Sequence, residues 1–147
     1  MPAAMLQTPY EADRLFAGVY AGKKARLCLA TTTSGSPNLS SNTAAWDAVE
    51  RSGSGYARCE WTIPAGSFNT TTDRFEAGTY NCTFTASGSA LTWNAAYLVI
   101  GTISGSTVTW GTGVSFVLNE SPSISLAAGL SRIYTVQLFT DGFTVTA

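Results

Sequence analysis

The sequence predicts an all-β protein that folds as a two-sheet β-sandwich, with a jelly roll as one arrangement and a short N-terminal helix or arm. Ser and Thr make up roughly a quarter of the 147 residues, as is typical of β domains rich in turns. Apolar residues alternate with polar ones in several short segments. Gly, Pro, Asn or Ser bounds each of these segments. We place the arm at residues 1–22 and one sandwich domain at 23–147, since 45% hydrophobic residues provide for a single core.

The N-terminal segment "TPYEADRLFAG" predicts a short helix. Thr8 and Glu11 have the spacing of a capping box, Pro9 occupies the first helical position, and Gly18 stands where a helix would end. The arm also carries more apolar surface than a free arm would expose without cost, so we expect it to dock on a partner. Its interface candidates are Met5, Leu6, Tyr10 and Phe16.

The next segment, "KKARLCLATT", predicts the first long strand, with Ala25, Leu27 and Leu29 on one face. The polar stretch 32–43 that follows is long for a loop in a compact domain. We therefore expect it to be an interface, with Asn38 and Leu39 as candidates. The stretch "AAWDAVE" after it predicts one helical turn.

The glycine-rich stretch "SGSGYARCEWTI" raises the question of a phosphate-binding loop. Such a loop needs backbone N–H groups that converge at a helix N-terminus. Here the residues after the glycines alternate with period two, so a strand follows and the glycines mark a corner. This strand places Tyr56 and Arg58 on its less buried face, where they are interface candidates.

The remaining strands follow at regular intervals. "GTYNCTFTA" is a half-buried strand, and the more continuously apolar "LTWNAAYLVIGTI" predicts the centre of a sheet. "GTG" is interpreted as a hairpin turn between "STVTW" and "VSFVLNE", and "AAGLS" as one between "SISL" and "RIYTVQLFT". A last strand follows the turn at Asp141 and Gly142.

Composition argues against several classes of function. Only 12% of residues are charged and the net charge is −1, which disfavours a nucleic-acid partner. The N-terminus has neither a signal-peptide pattern nor a long apolar run, so no membrane role is expected. The sequence contains no His, which removes Ser-His-Asp and Cys-His catalysis.

The carboxylates predict no active site either. Asp47 with Glu50, and Asp73 with Glu76, are close in sequence and lie beside Arg residues, so ion pairing is favoured over glycosidase chemistry. No metal-ligand spacing is present. We expect no enzyme, no catalytic residue, no cofactor and no metal.

The cysteines and tryptophans are expected to be structural. Three widely spaced cysteines, Cys28, Cys59 and Cys82, predict reduced thiols in the core. Trp46 and Trp110 lie near loops and are candidates for exposure at an interface. Burial in the domain or at a subunit contact is favoured over sugar stacking for both.

The order of segments resembles that of a protein family. "GKKARLCLATT", a Ser/Thr/Asn loop, "AVERSGSGYARCEW" and "LTWNAAYLVIGTISG" are similar to segments of small virion structural proteins of tailed bacteriophages, cyanophages among them. The resemblance covers 22–140, and its most specific element runs from Glu50 to Arg58. It implies a capsid decoration (cement) protein, or a tail or baseplate part, without a reaction.

We therefore expect a virion protein on the capsid surface, with the major capsid protein or other virion proteins as partners. A homotrimer is expected because many decoration proteins are trimers. A tail, neck or baseplate component is the first alternative. A carbohydrate-binding module or host adhesin is the second.

Overall fold

The computed structural model describes residues 16–34, 36–72, 74–139 and 142–146. Within these residues, ten strands form two five-stranded antiparallel sheets, which confirms the predicted all-β sandwich. The strands are β1 (Lys24–Ala30), β2 (Cys59–Thr62), β3 (Ser67–Asn69), β4 (Arg74–Glu76), β5 (Tyr80–Thr85), β6 (Leu91–Ser104), β7 (Thr107–Trp110), β8 (Phe116–Leu126), β9 (Ser131–Phe139) and β10 (Gly142–Thr146). Residues 16–19 are helical, and a second short helix, α1, spans Thr43–Asp47.

Each sheet is organised around one long strand. In sheet I the order is β2-β1-β6, and both β7 and β8 pair with the other edge of β6. In sheet II, β9 pairs with β10 on one edge and with β4 and β5 on the other, while β3 extends the sheet beyond β4. The predicted central position of "LTWNAAYLVIGTI" is thus confirmed as β6.

The main core lies between the two sheets. Ala25, Leu27 and Leu29 of β1 face Tyr134 and its neighbours in sheet II, as their alternation predicts. A buried hydrogen-bond chain also crosses the core, since Trp93 Nε1 donates to Tyr134 Oη at 2.9 Å. Tyr134 Oη in turn donates to Glu120 of β8 at 2.5 Å, so the indole and carboxylate of sheet I hold the phenol of sheet II.

Sheet I is also covered on its outer face. The covering segment, residues 36–51, contains α1, which begins where Asn42 Oδ1 accepts from the N–H of Ala45. Trp46 of α1 packs against Tyr97 of β6 with ring centroids 5.4 Å apart. A second core cluster forms there from Cys28, Ala30, Trp46, Ala95, Tyr97 and Val99.

Both predicted hairpins around β8 are wrong. β7 forms its hairpin with β6 across Gly105 and Ser106, and β8 pairs with an earlier part of β6 instead of with β7. The connection 127–130 carries the chain from β8 in sheet I to β9 in sheet II. Turn residues mark where the chain reverses, but they do not determine which strands pair after the reversal.

The prediction of three reduced thiols is wrong for two of them. Cys59 of β2 and Cys82 of β5 form a disulfide, with their Cα atoms 5.6 Å apart. Alternation places both on inward faces, and those faces belong to opposite sheets that pack against each other. Cys28 is free and fully buried as expected, and burial raises the pKa of its thiol to about 12.

Two interface candidates are buried inside the domain. Phe16 is 0% exposed and packs against Phe75, because the helical residues 16–19 lie on the main core. Trp46 is 1% exposed, and its Nε1 donates to the carbonyl of Asn38. The expectation that these two side chains are exposed to a partner is therefore corrected.

The glycine-rich stretch is a corner, as predicted. Gly53 and Gly55 have φ values of 71° and 76°, and Ser54 between them has φ 52°. A Cβ on Gly55 would lie 2.7 Å from Cβ of Ser87, so the close approach of two chain segments requires glycine there. Strand β2, and no helix, follows at Cys59.

Candidate functional site

A buried ion pair lies on the outer face of sheet I. Arg26 of β1 is only 2% exposed, and its Nη2 donates to Oδ1 and Oδ2 of Asp47 at 3.0 and 2.8 Å. Asp47 ends α1, so the pair ties the covering segment to the sheet. Tyr97 Oη also donates to Asp47 Oδ1, at 2.7 Å. Both burial and this hydrogen bond to the carboxylate raise the pKa of Tyr97 well above its usual value.

A second ion pair lies beside the first. Arg58 donates from Nε and Nη2 to the carboxylate of Glu50, with the shortest contact at 2.6 Å. Tyr56 Oη donates to the same carboxylate at 2.7 Å and accepts from the N–H of Leu29 in β1. Arg58 Nη2 is also 3.9 Å from Asp47 Oδ2, so this guanidinium joins the two pairs.

The hydrogen bonds of this second pair favour the charged form of Glu50. Burial by itself raises the pKa of Glu50, but the hydrogen bonds from Arg58 and Tyr56 outweigh it, and the pKa falls below 4.5. The bond to Glu50 raises the pKa of Arg58, and burial raises that of Tyr56. Glu50 and Arg58 are therefore both charged at neutral pH.

The two ion pairs border an open cleft of about 450 Å³. It lies between α1 and the end of β7. Its wall is formed by Arg26, Asn42, Thr43, Ala44, Asp47, Arg58, Trp110, Gly111 and Thr112. Two hydrogen bonds join α1 to the residues that follow β7. Thr43 N donates to the carbonyl of Thr112, and Thr43 Oγ1 donates to the carbonyl of Gly111.

Trp110 forms the apolar wall of the cleft. Its indole lies against Gly101, its partner on β6, where a Cβ would come within 2.7 Å of the ring. The guanidinium carbon of Arg26 lies 4.8 Å from the ring centroid, within cation–π distance. Because residue 101 is glycine, the Trp110 ring has room to lie against the buried guanidinium of Arg26.

A smaller cavity of about 150 Å³ lies at the other side of Trp46. Asn38 and Leu39 line it, and Leu39 is 80% exposed. The long polar loop thus presents Leu39 to solvent, as the interface prediction requires.

The part of the outer face of sheet II that β5 and β9 form carries uncharged side chains. We call it the open face; its residues are Asn81, Thr83, Thr85, Ser131, Ile133 and Thr135. Cross-strand hydrogen bonds join Thr135 Oγ1 to Asn81 Oδ1 at 2.8 Å and Thr85 Oγ1 to Ser131 Oγ at 2.7 Å. Ile133 is 49% exposed in the middle of this face.

The structure brings together only some of the predicted interface residues. Arg58 and Trp110 border the same cleft. Tyr56 instead packs against the main core beside Phe84 and bonds to Glu50, so its prediction as a side chain of the less buried face is corrected. Asn38 and Leu39 line the smaller cavity on the other side of Trp46. Met5, Leu6 and Tyr10 lie outside the described residues.

Sequence reasoning missed Arg26 as a site residue. Its alternation with Ala25 and Leu27 places it correctly on the opposite face of β1, which in most antiparallel sheets faces water. The covering segment buries that face here. The Asp47 and Glu50 carboxylates were correctly expected to form ion pairs, but their partners are Arg26 and Arg58 instead of the adjacent Arg51.

Comparisons with known proteins identify no relative: no family model, no curated protein and no solved structure matches the chain. Within the described residues, no three His, Cys, Asp or Glu side chains are grouped so that they could hold a metal ion. In the same part of the chain, no helix has the length and hydropathy needed to cross a bilayer.

Proposed function

We propose that this protein is a structural component of a phage virion, a capsid cement protein that stabilises the head by binding across subunits of the major capsid protein. The observation that carries the proposal is the open face of sheet II. A second support is the sequence resemblance, since the segments from Gly22 onward are similar to segments of small virion structural proteins of tailed phages.

The open face suits contact with another protein. Covering it removes no charge from water, because all six of its side chains are uncharged. Two pairs of its polar side chains already bond to each other across the strands, so a partner leaves fewer of them without hydrogen bonds. Ile133 and the nearby Leu130, 49% and 56% exposed, provide apolar contact.

The domain behind this face is stiff. The Cys59–Cys82 disulfide links sheet I to sheet II, and the chain from Trp93 through Tyr134 to Glu120 links them again. A disulfide persists in oxidising surroundings, which a released particle meets. Stiffness favours reinforcement because little conformational entropy is lost when the domain binds.

Many copies strengthen weak contacts. A homotrimer on the capsid surface holds three open faces near their binding sites, so each later contact forms at a high effective concentration. A tail, neck or baseplate component requires the same stability and remains the first alternative.

The test compares particles with and without this protein under heating. Particles that lack it should release their genome at a lower temperature. Equal release temperatures would contradict the cement role, and density for the chain on the tail would support the alternative.

Matched variants test the open face itself. Ile133→Lys introduces a charge at its centre and should lower the number of copies bound per particle. Ile103→Lys is the control, because Ile103 is 36% exposed on sheet I. Equal binding of the two variants to particles would show that the open face is not the contact.

A further inference from the structure

We propose that acid releases the covering segment from the outer face of sheet I while the two-sheet core stays folded. This inference does not depend on the virion proposal. It rests on three observations, which are the carboxylates that attach the segment, the buried cation beneath it, and the separate contacts that hold the core.

Two carboxylates tie the covering segment to the chain beneath it. Asp47 accepts from Arg26 of β1 and from Tyr97 of β6. Glu50 accepts from Arg58, which directly precedes β2. A carboxylate that takes up a proton loses its negative charge, so both ion pairs are lost in acid.

Acid leaves Arg26 as a cation without a counter-ion. Its guanidinium is 2% exposed and keeps its charge at every pH at which the carboxylates titrate. A buried charge without a partner is strongly disfavoured, whereas water compensates the same charge when it is exposed. Protonation of Asp47 therefore favours the arrangement in which the segment has moved away and the guanidinium meets water.

The other charged groups around the pair do not replace the lost carboxylates. Lys24 of β1 lies two residues from Arg26 on the same face, and Arg51 belongs to the covering segment, so both add positive charge. Glu60 of β2 lies opposite Arg26 in register, but its carboxyl group is also protonated in acid.

The remaining titratable groups that face the pair stay neutral throughout. Burial raises the pKa values of Tyr97, Tyr56 and Cys28, so none of them becomes an anion in acid. The nearby described side chains of β7 and β8, Trp110 and Val117, carry no charge.

The direction of the Glu50 shift places release in acid. Its pKa is lowered because the hydrogen bonds from Arg58 and Tyr56 outweigh burial. The stabilisation that it provides is complete above its ordinary pKa and is lost as pH falls through the lowered one. The covering segment is therefore held in place at neutral pH.

The core does not depend on these ion pairs. The disulfide joins the two sheets, and the main core lies on the other face of sheet I. Backbone hydrogen bonds from Thr31 N to Val49 O and from Arg51 N to Leu29 O attach the end of the segment to β1 without a titratable group. We therefore expect the segment to move away at α1 and to stay attached at this end.

Cys28 reports the release. It is buried with Trp46 in the second core cluster, and it is the free thiol of the chain because the other two cysteines are bridged. The test is the rate of its reaction with dithiodipyridine at about pH 7 and about pH 3, divided by the rate of glutathione at the same pH. We expect this relative rate to be at least tenfold higher in acid, because the covering segment no longer shields the thiol.

Amide hydrogen exchange separates release from unfolding. In acid, after correction for the intrinsic exchange rate, residues 38–48 should lose protection while β6 and β9 keep it. An unchanged relative rate of Cys28, or protection lost equally in β9 and in the covering segment, would overturn the proposal.

A matched pair of variants tests the role of the buried cation. Arg26→Met leaves no cation to be stranded, so acid should raise the relative rate of Cys28 far less than in the parent. Arg132→Met is the control, since Arg132 lies near Glu120 and is 32% exposed, and it should keep the parental increase. Equal increases in the two variants would contradict the proposal.

A second pair replaces the first if Arg26→Met does not fold. Asp47→Asn is neutral at every pH and should raise the rate of Cys28 already at neutral pH. Glu76→Gln, on β4 of sheet II, should leave it at the parental value. Equal rates in these two variants would likewise overturn the proposal.

Discussion

Removal of the Asp47 carboxylate tests whether the buried Arg26 depends on it. Asp47→Ala leaves a guanidinium that is 2% exposed without its ion-pair partner. Breaking a buried pair in this way costs about 3–5 kcal/mol. We expect the lower end, about 3 kcal/mol, because Asp47 itself is 31% exposed and part of its interaction is screened by solvent.

The measurement is urea unfolding followed by tryptophan fluorescence, since Trp46 packs on Tyr97 beside the pair. With a slope of about 2 kcal/mol per M, a loss of about 3 kcal/mol lowers the unfolding midpoint by roughly 1.5 M. Glu76→Ala is the control, because Glu76 is a partly exposed carboxylate on β4 of sheet II, in the sheet that does not contain Arg26. The reasoning is refuted if the two substitutions lower the midpoint equally.

A double variant separates the unpaired charge from lost packing. In Arg26→Met with Asp47→Ala both charges are gone, so no ion remains buried without a partner. We expect the double variant to be only about 1–2 kcal/mol less stable than the parent, a loss that reflects the Trp110 contact of Arg26 and the lost acceptor of Tyr97. A double variant less stable than Asp47→Ala alone would show that the arginine contributes mainly by packing.

Two further predictions concern the disulfide and acid stability. Cys59→Ser with Cys82→Ser should lower the free energy of unfolding by about 3 kcal/mol, because the bridge closes a loop of 23 residues. Mass spectrometry of the unreduced parent should find two free thiols fewer than after reduction. Three free thiols in the unreduced protein would contradict the bridge. The folded-state pKa of Glu50 is lowered, so its contribution is complete above about pH 4.5 and is lost as pH falls through the folded pKa. The stability difference between the parent and Glu50→Gln should therefore shrink in acid unfolding from pH 6 to pH 3, and a constant difference would refute the assignment.

The sequence predicts single strands better than it predicts their partners. Alternation over "RLCLA" and "YNCTFT" places Leu27, Cys82 and Phe84 on inward faces, and the structure confirms these positions. Pairing is a property of distant segments, so two hairpins predicted from turn residues alone were wrong. The disulfide was missed for the same reason, since its two strands lie 23 residues apart in different sheets.

The cleft was harder to predict than the sheets, because it depends on a segment without regular periodicity. The polar, Pro-containing sequence from Ser36 to Asn42 resembles a solvated loop, yet it leads into α1, which places Trp46 and Asp47 on the outer face of β1. The available signal was an Arg in a largely apolar strand, "ARLCLA". A charge in such a strand needs a partner when it is buried, so Arg26 predicts a covering carboxylate even though it does not tell which one.

The carboxylates that neutralise the two arginines also hold them in one position. An arginine side chain loses up to about 2 kcal/mol of rotamer entropy when it is fixed in one position. Here Asp47 holds Arg26, and Glu50 holds Arg58, so the two ion pairs offset part of that entropy loss. Asp47 belongs to α1, whereas Arg26 lies on β1 and Arg58 directly precedes β2. The two arginines therefore keep this orientation only while the covering segment stays packed on sheet I.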